Sequence, residues 1–260
     1  MGYENMLTFG GHLEVLRRML YRIFAVIALV AVTVFYFKEA AWDIILAPSD
    51  WQFCTYRWLE KIMQVIGMNF HFDKYYVNLI ATNLSSQFMA HVTTALYLGL
   101  LGTSPYLLYE LFHFISPALY ENEKKYSVKI AIAIYLLFIF GVLMNYFVLF
   151  PISFRFLGTY SVSPRVVSNI TLDSYISTFV SLTLIMGIAF QLPIISFFLA
   201  KMGAINSKLL VQYRKHSFII IMLVAAIITP PDIMTLILVT LPLYLLFEVS
   251  IMVVRRVDKI

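Results

Sequence analysis

The sequence predicts an all-α integral membrane protein of six transmembrane helices, with both termini on the cytoplasmic side and the last two helices short. Three observations predict it. Sixty-one per cent of the residues are hydrophobic and only 13% are charged, and the mean hydropathy is +0.85, beyond the range of soluble domains. Apolar runs long enough for a hydrocarbon layer about 30 Å thick recur along the chain. Lys and Arg gather at the ends of alternate runs, as the positive-inside rule requires of cytoplasmic loops.

The first span is the run at 19–37, preceded by Arg17, Arg18 and Arg22. It is too long for a signal-peptide core, and no small-residue cleavage site follows it. A long extracytoplasmic segment, Lys38 to Ser86, comes next and contains Pro48. Within it Leu59, Ile62, Met63 and Ile66 fall on one helical face, which suggests a short amphipathic helix lying on the membrane or capping the spans. The second span, 88–114, is long and is expected to tilt, or to kink at Gly99, Gly102 or Pro105.

A dense polar knot follows Pro117: Glu121, Glu123, Lys124, Lys125 and Lys129 crowd into a short loop before the third span at 130–150. That span is expected to stop at Pro151, with a polar loop from there to Asp173. The fourth span, 175–200, is interrupted by Gly187, Gln191 and Pro193, and a second basic loop leads to the fifth. Spans five and six, 217–229 and 233–254, flank Thr229, Pro230, Pro231 and Asp232. The 11 apolar residues from Phe218 to Ile228, at about 1.5 Å each, reach only about half of the hydrocarbon core. Pro242 and Glu248 shorten the continuous apolar stretch of span six as well. The pair therefore reads as a shallow hairpin that thins the bilayer, with Glu248 an interfacial residue and the two prolines a helix stop.

Charge placement agrees with this assignment. Arg17, Arg18, Arg22, Lys124, Lys125, Lys129, Lys201, Lys208, Arg214, Lys215, Arg255, Arg256 and Lys259 fall on the inner side, which is 13 of the 19 basic residues. Headgroups and topology thus account for the net charge of +5, and nothing calls for nucleic acid. The lone Cys54 excludes an internal disulfide and a cysteine-based metal site.

Enzyme chemistry finds no foothold. The five histidines lack ligand spacing, and there is no nucleophile elbow or phosphate-binding loop. No cofactor is implied. An intramembrane protease would need paired aspartates, a Ser–His pair or metal ligands within its spans. A secondary transporter of small molecules is the alternative function, but such proteins usually carry internal repeats, and none is visible.

Several motifs then carry a family resemblance: HLEVLRRML at 12–20, Pro48, SPYLLYELFHFISPALYENEKK at 104–125, YFVLFPISFRFL at 146–157, GIAFQLPII at 187–195, and ITPPD with LPLYLLFEVSI between 228 and 251. Their order and positions are similar to those of the TatC family, the multispanning core of the twin-arginine protein translocase. The similarity covers nearly the whole chain.

The resemblance implies transport of folded proteins across the plasma (inner) membrane of a bacterium, driven by the proton-motive force, with the chain as receptor for signal peptides bearing two consecutive arginines. A thylakoid or archaeal membrane is the other setting it leaves open. Implied partners are small single-span subunits of the TatA and TatB type, twin-arginine signal peptides of folded cargo, membrane lipids, and further copies of the chain in a homo- and hetero-oligomer. Glu14, Arg17, Phe114, Pro117, Tyr120 and Glu123 map onto the signal-peptide site, where carboxylates receive guanidinium forks. Gln191 and Pro193 map onto a polar membrane site for a partner helix. Pro48, Pro105, Pro230, Pro231 and Asp232 map onto structural positions.

This chain also departs from the family pattern. Val15 stands where a glutamate is usual, with Glu14 one residue earlier, about 100° around a helix. Met19, Gln191 and Leu236 replace an arginine, a membrane-embedded glutamate and a glutamine. Glutamine at 191 excludes protonation there while keeping a hydrogen-bonding group.

Overall fold

The computed structural model describes residues 9–67, 74–75, 77–115, 127–163, 169–229 and 232–258. Helices dominate them: α1 (Phe9–Tyr36), α2 (Lys38–Leu46), α3 (Cys54–Val65), α4 (Ser86–Ile115), α5 (Ser127–Met144) and α6 (Phe150–Thr159). They continue as α7 (Leu172–Ala189), α8 (Leu192–Lys201), α9 (Ser207–Gln212), α10 (Arg214–Ile228) and α11 (Ile233–Val257). Two compact units divide the chain, residues 1–42 with 91–135, and residues 43–90 with 136–260.

Among the described residues, four helical stretches have the length and hydropathy to cross a membrane: Leu13–Tyr36, Ile130–Thr159, Leu172–Lys201 and Ile233–Val257. Two other helices fill the places of sequence-assigned spans two and five. α4 has 30 residues but carries buried Thr94, Thr103, Ser104 and Glu110. α10 has 15 residues, about 22 Å of helix, short of a normal hydrocarbon layer.

In the first unit α1 and α4 run antiparallel. Met19, Ile23 and Ala31 of α1 are buried at spacings of four and eight, a single helical face. A Cβ on Gly99 would lie 2.9 Å from the Ala31 Cα, so the two backbones meet through small residues as packed membrane helices do. α4 passes Pro105 without ending. The proline lacks the N–H that would bond the Leu101 carbonyl, and the Ser104 hydroxyl donates to that oxygen instead at 2.7 Å.

The second unit solves the same problem at Pro151, and here the structure corrects the sequence reading. Helix does not stop at Pro151. A π turn, Asn145–Leu149, joins α5 to α6, which carries helix on to Thr159. Pro151 leaves the Phe147 carbonyl without its helical donor, and the Thr55 hydroxyl of α3 donates to it from 92 residues away in sequence. Beside it the Tyr56 hydroxyl donates to the Pro151 carbonyl at 2.8 Å and lies 2.9 Å from the Tyr75 hydroxyl. Burial pushes the Tyr56 phenol above its ordinary pKa, and Tyr75 likewise, so both keep the protons these bonds use.

α3 is amphipathic, but its apolar stripe is divided. Tyr56 is buried and Leu59 and Met63 half-buried, whereas Trp58, Ile62, Val65 and Ile66 are exposed. Phe150, Phe154, Tyr175 and Phe179 form an aromatic cluster, with Phe150 edge-on to Tyr175 at 5.1 Å and to Phe179 at 4.8 Å. The Tyr175 and Tyr146 hydroxyls donate to the carbonyls of Ile45 and Ile44, tying the end of α2 to this core. A two-residue parallel ladder, Leu79 with Ile170 and Ile80 with Thr171, joins the two polar segments assigned outside the membrane.

The second basic loop holds helix α9, capped by Asn206 through the Leu209 N–H at 2.8 Å. The Asp258 carboxylate accepts the Ser207 N–H at 2.8 Å, and bonds from the Ser207 side chain and backbone lower its pKa. α8 ends at Gly203, φ +73°, where the N–H groups of Gly203 and Ala204 return to the carbonyls of Ala200 and Leu199. Glycine adopts that left-handed turn without steric cost.

Candidate functional site

The sequence-derived peptide site falls in the first unit, where α1 begins and α4 finishes. Glu14 lies in the first turns of α1, its side chain 45% exposed. Its two oxygens are already taken by a consecutive arginine pair of the same helix. Arg18 Nε donates to Oε1 at 3.1 Å, and Arg17 Nη1 lies 3.8 Å from Oε2. Such exposed pairs add roughly 0.2–1 kcal/mol, so an incoming cation can compete for this carboxylate.

Two turns along α1, Arg22 reaches a carboxylate that the sequence reading had passed over. Its Nη1 is 3.4 Å from Glu110 Oε1 on α4, and the Tyr106 hydroxyl donates to the same oxygen at 2.9 Å. The Glu110 side chain is only 9% exposed. A charge placed so deep is costly unless paired and hydrogen-bonded, and the signal that could have found it is the Tyr106/Glu110 spacing of four on one helix face. Phe114, half-buried, follows one turn later. Pro117, Tyr120 and Glu123 lie outside the described residues.

The second unit holds the other expected positions. α7 and α8 are separated by a turn at Phe190 and Gln191, with Pro193 buried in the first turn of α8 and Gln191 half-exposed. The close approach of α5 to α7 lies beside it: a Cβ on Gly141 would meet the Met186 carbonyl at 2.5 Å, and one on Gly187 the Phe138 ring at 2.7 Å. A further polar pair joins the Asn145 amide to the Thr183 hydroxyl at 2.8 Å, with both residues fully buried.

Pro48 is buried in a 3-10 turn, Ala47–Ser49. Asp232 caps α11 through the Thr235 N–H at 2.6 Å, while Pro230 and Pro231 lie outside the described residues. Glu248 is no simple interfacial residue: Arg214 Nη2 is 2.7 Å from its Oε2, and the Tyr244 hydroxyl 3.1 Å from its Oε1, which clamps the start of α10 to α11.

Two cavities open around Leu157. One, of about 290 Å³, is lined by Ser153, Asn169, Ser174, Tyr175, Thr178 and Thr235 among others. The other, of about 620 Å³, runs past Tyr160, Thr229, Asp232 and Leu236. Neither includes Gln191, so the polar recess expected around that residue is not one of these two.

Long apolar helices with polar side chains buried among them define an integral membrane protein. The family model for the Sec-independent protein translocase protein (TatC) matches residues 11–242, and the chain belongs to the TatC family. A TatC protein of Blattabacterium sp. subsp. Periplaneta americana is 35% identical over 262 residues, spanning 98% of each chain. TatCy of Bacillus subtilis is 34% identical over 177 residues, 68% of this chain and 70% of that protein. A crystal structure of the twin arginine translocase receptor TatC superposes with a TM-score of 0.74 at 29% identity, covering 95% of this chain and 99% of that one.

Proposed function

We propose that this translocase subunit is the signal-peptide receptor and core of its translocase, binding consecutive arginines of folded cargo at a cytoplasmic site built from Glu123 and Glu14 beside Arg17, Phe114, Pro117 and Tyr120. The observation that carries the reading is the Glu14 cluster. That carboxylate already pairs with two consecutive guanidiniums, a hydrogen bond from Arg18 at 3.1 Å and an ion pair with Arg17 at 3.8 Å, the chemistry a twin-arginine peptide brings. Its place near the start of α1 and its exposure suit a receptor that exchanges ligands. Relatives bearing the receptor description support the same assignment.

In this reading the chain crosses a bacterial plasma membrane six times with both termini inside, α4 and the short α10 supplying spans two and five. Small single-span subunits pack near Gln191 and Pro193, and the proton-motive force drives transport. Replacing Glu123 by alanine removes a charge-assisted pair of about 1.5–3 kcal/mol. Crosslinking of a twin-arginine peptide should fall roughly ten-fold or more at unchanged protein abundance, and undiminished crosslinking would refute the site.

A further inference from the structure

We propose that Glu110 is a second guanidinium-accepting site, occupied in the resting chain by Arg22, and that an arginine of a bound peptide exchanges with Arg22 there. The inference rests on the receptor reading above and adds a residue and an exchange step to it. Its foundation is the asymmetry of the Glu110 carboxylate. Both described partners, the Arg22 guanidinium and the Tyr106 hydroxyl, address Oε1. Among the described residues no donor pairs with Oε2. A carboxylate and a guanidinium pair best through two parallel bonds using both oxygens, and the Arg22 contact, one nitrogen at 3.4 Å, falls short of that.

The two partners are also unequally held. Glu110 is 9% exposed, whereas the Arg22 side chain is 60% exposed. The acceptor is therefore fixed and partly desolvated, while its cation stands mostly in solvent. A leaving cation strands a buried negative charge, so departure is favourable only when another cation replaces it. Tyr106 keeps one hydrogen bond on Oε1 throughout and fixes the carboxylate's orientation. A planar guanidinium can then approach Oε2 and complete a fork, which an ammonium cannot do. Arginine is thereby selected over lysine.

Register strengthens the case. Glu14, Arg18 and Arg22 follow one another at spacings of four along a single face of α1, with Arg18 on Glu14 and Arg22 on Glu110. Two carboxylates, each with an arginine of the chain in place, thus border the same helix face, matching a ligand that carries two guanidiniums.

The test is the affinity of the purified full-length chain for a fluorescent synthetic peptide with two consecutive arginines, set against the same peptide with two lysines. Arg22→Gln should bind the arginine peptide several-fold more tightly, because the resident competitor is gone. Glu110→Gln, which keeps an acceptor for Tyr106, should bind it roughly ten-fold more weakly, a loss equivalent to about 1.4 kcal/mol, and should lose most of the arginine-over-lysine preference. The double variant should not regain the Arg22→Gln increase. A purely structural ion pair predicts instead that Arg22→Gln binds the peptide unchanged or more weakly, and either result overturns the exchange. If the native chain shows no preference for the arginine peptide, the receptor reading falls and this proposal with it. If the preference is present but insensitive to both substitutions, the exchange alone falls.

Discussion

At the scale of single residues, one polar side chain marks a break between two apolar helices. Gln191 sits at the turn between α7 and α8, two residues before a proline that cannot continue the hydrogen-bond ladder. The family resemblance points to a carboxylic acid at this position, and an amide can donate and accept but cannot take up a proton. If the position serves to dock a partner's polar residue, Gln191→Glu should retain export at neutral pH, and Gln191→Leu should lower both partner crosslinking and export. Interhelical hydrogen bonds of this kind contribute roughly 0.6–2 kcal/mol, so a several-fold loss of crosslinking is the expected size. Unchanged crosslinking and export with leucine would reduce Gln191 to a packing amide. Gln191 was legible because it interrupts an apolar run. Glu110 was not, because its significance depends on Arg22, 88 residues earlier in the chain, a partner that the Tyr106/Glu110 spacing alone does not report.

At the scale of elements, the prolines separate what periodicity reveals from what packing decides. Pro105 and Pro151 both look like helix breakers, and both are passed by continuous helical structure because a hydroxyl takes the orphaned carbonyl: Ser104 for Leu101, and Thr55 for Phe147. The first donor adjoins its proline and is visible in the sequence. The second arrives from α3, so the expected stop at Pro151 was wrong for a reason no reading of residues 130–160 could supply. Thr55→Val keeps the shape of the side chain and removes its donor, leaving a buried acceptor unsatisfied at a cost of about 1–3 kcal/mol. Thermal unfolding in detergent should show this loss, and Thr55→Ser should restore most of it. Equal melting temperatures for valine and threonine would show that water or another donor serves Phe147. The divided stripe of α3 makes the same point: spacing found an amphipathic helix, but only packing shows that Leu59 and Met63 turn inward while Trp58, Ile62 and Val65 face out.

At the scale of the whole molecule, orientation follows from where the bases lie, and one native side chain can report it. Positive-inside placement predicts that both termini and the loops near Glu123 and Lys208 lie in the cytoplasm, with Cys54 and Asp232 on the opposite face. Cys54 is the only cysteine in the chain, a free thiol of intermediate exposure at the start of α3, next to the Thr55 contact that fixes that helix against the π turn. A membrane-impermeant maleimide should therefore label Cys54 in intact spheroplasts with no background from other thiols of the protein. In inside-out vesicles the same reagent should react only after the bilayer is permeabilised. A cysteine introduced at Lys208 in a Cys54→Ser background should show the opposite order. Partial burial will slow Cys54 in both preparations, so the comparison to make is each rate against that of the denatured protein. Were Cys54 to react first from the cytoplasmic side, every loop assignment would invert with it, and Glu123 and Glu14 would face away from any cytoplasmic peptide. The receptor reading would then fail whatever the chemistry of its carboxylates, because the proposed six spans keep the two termini on one side and the arginine series of α1 goes with them.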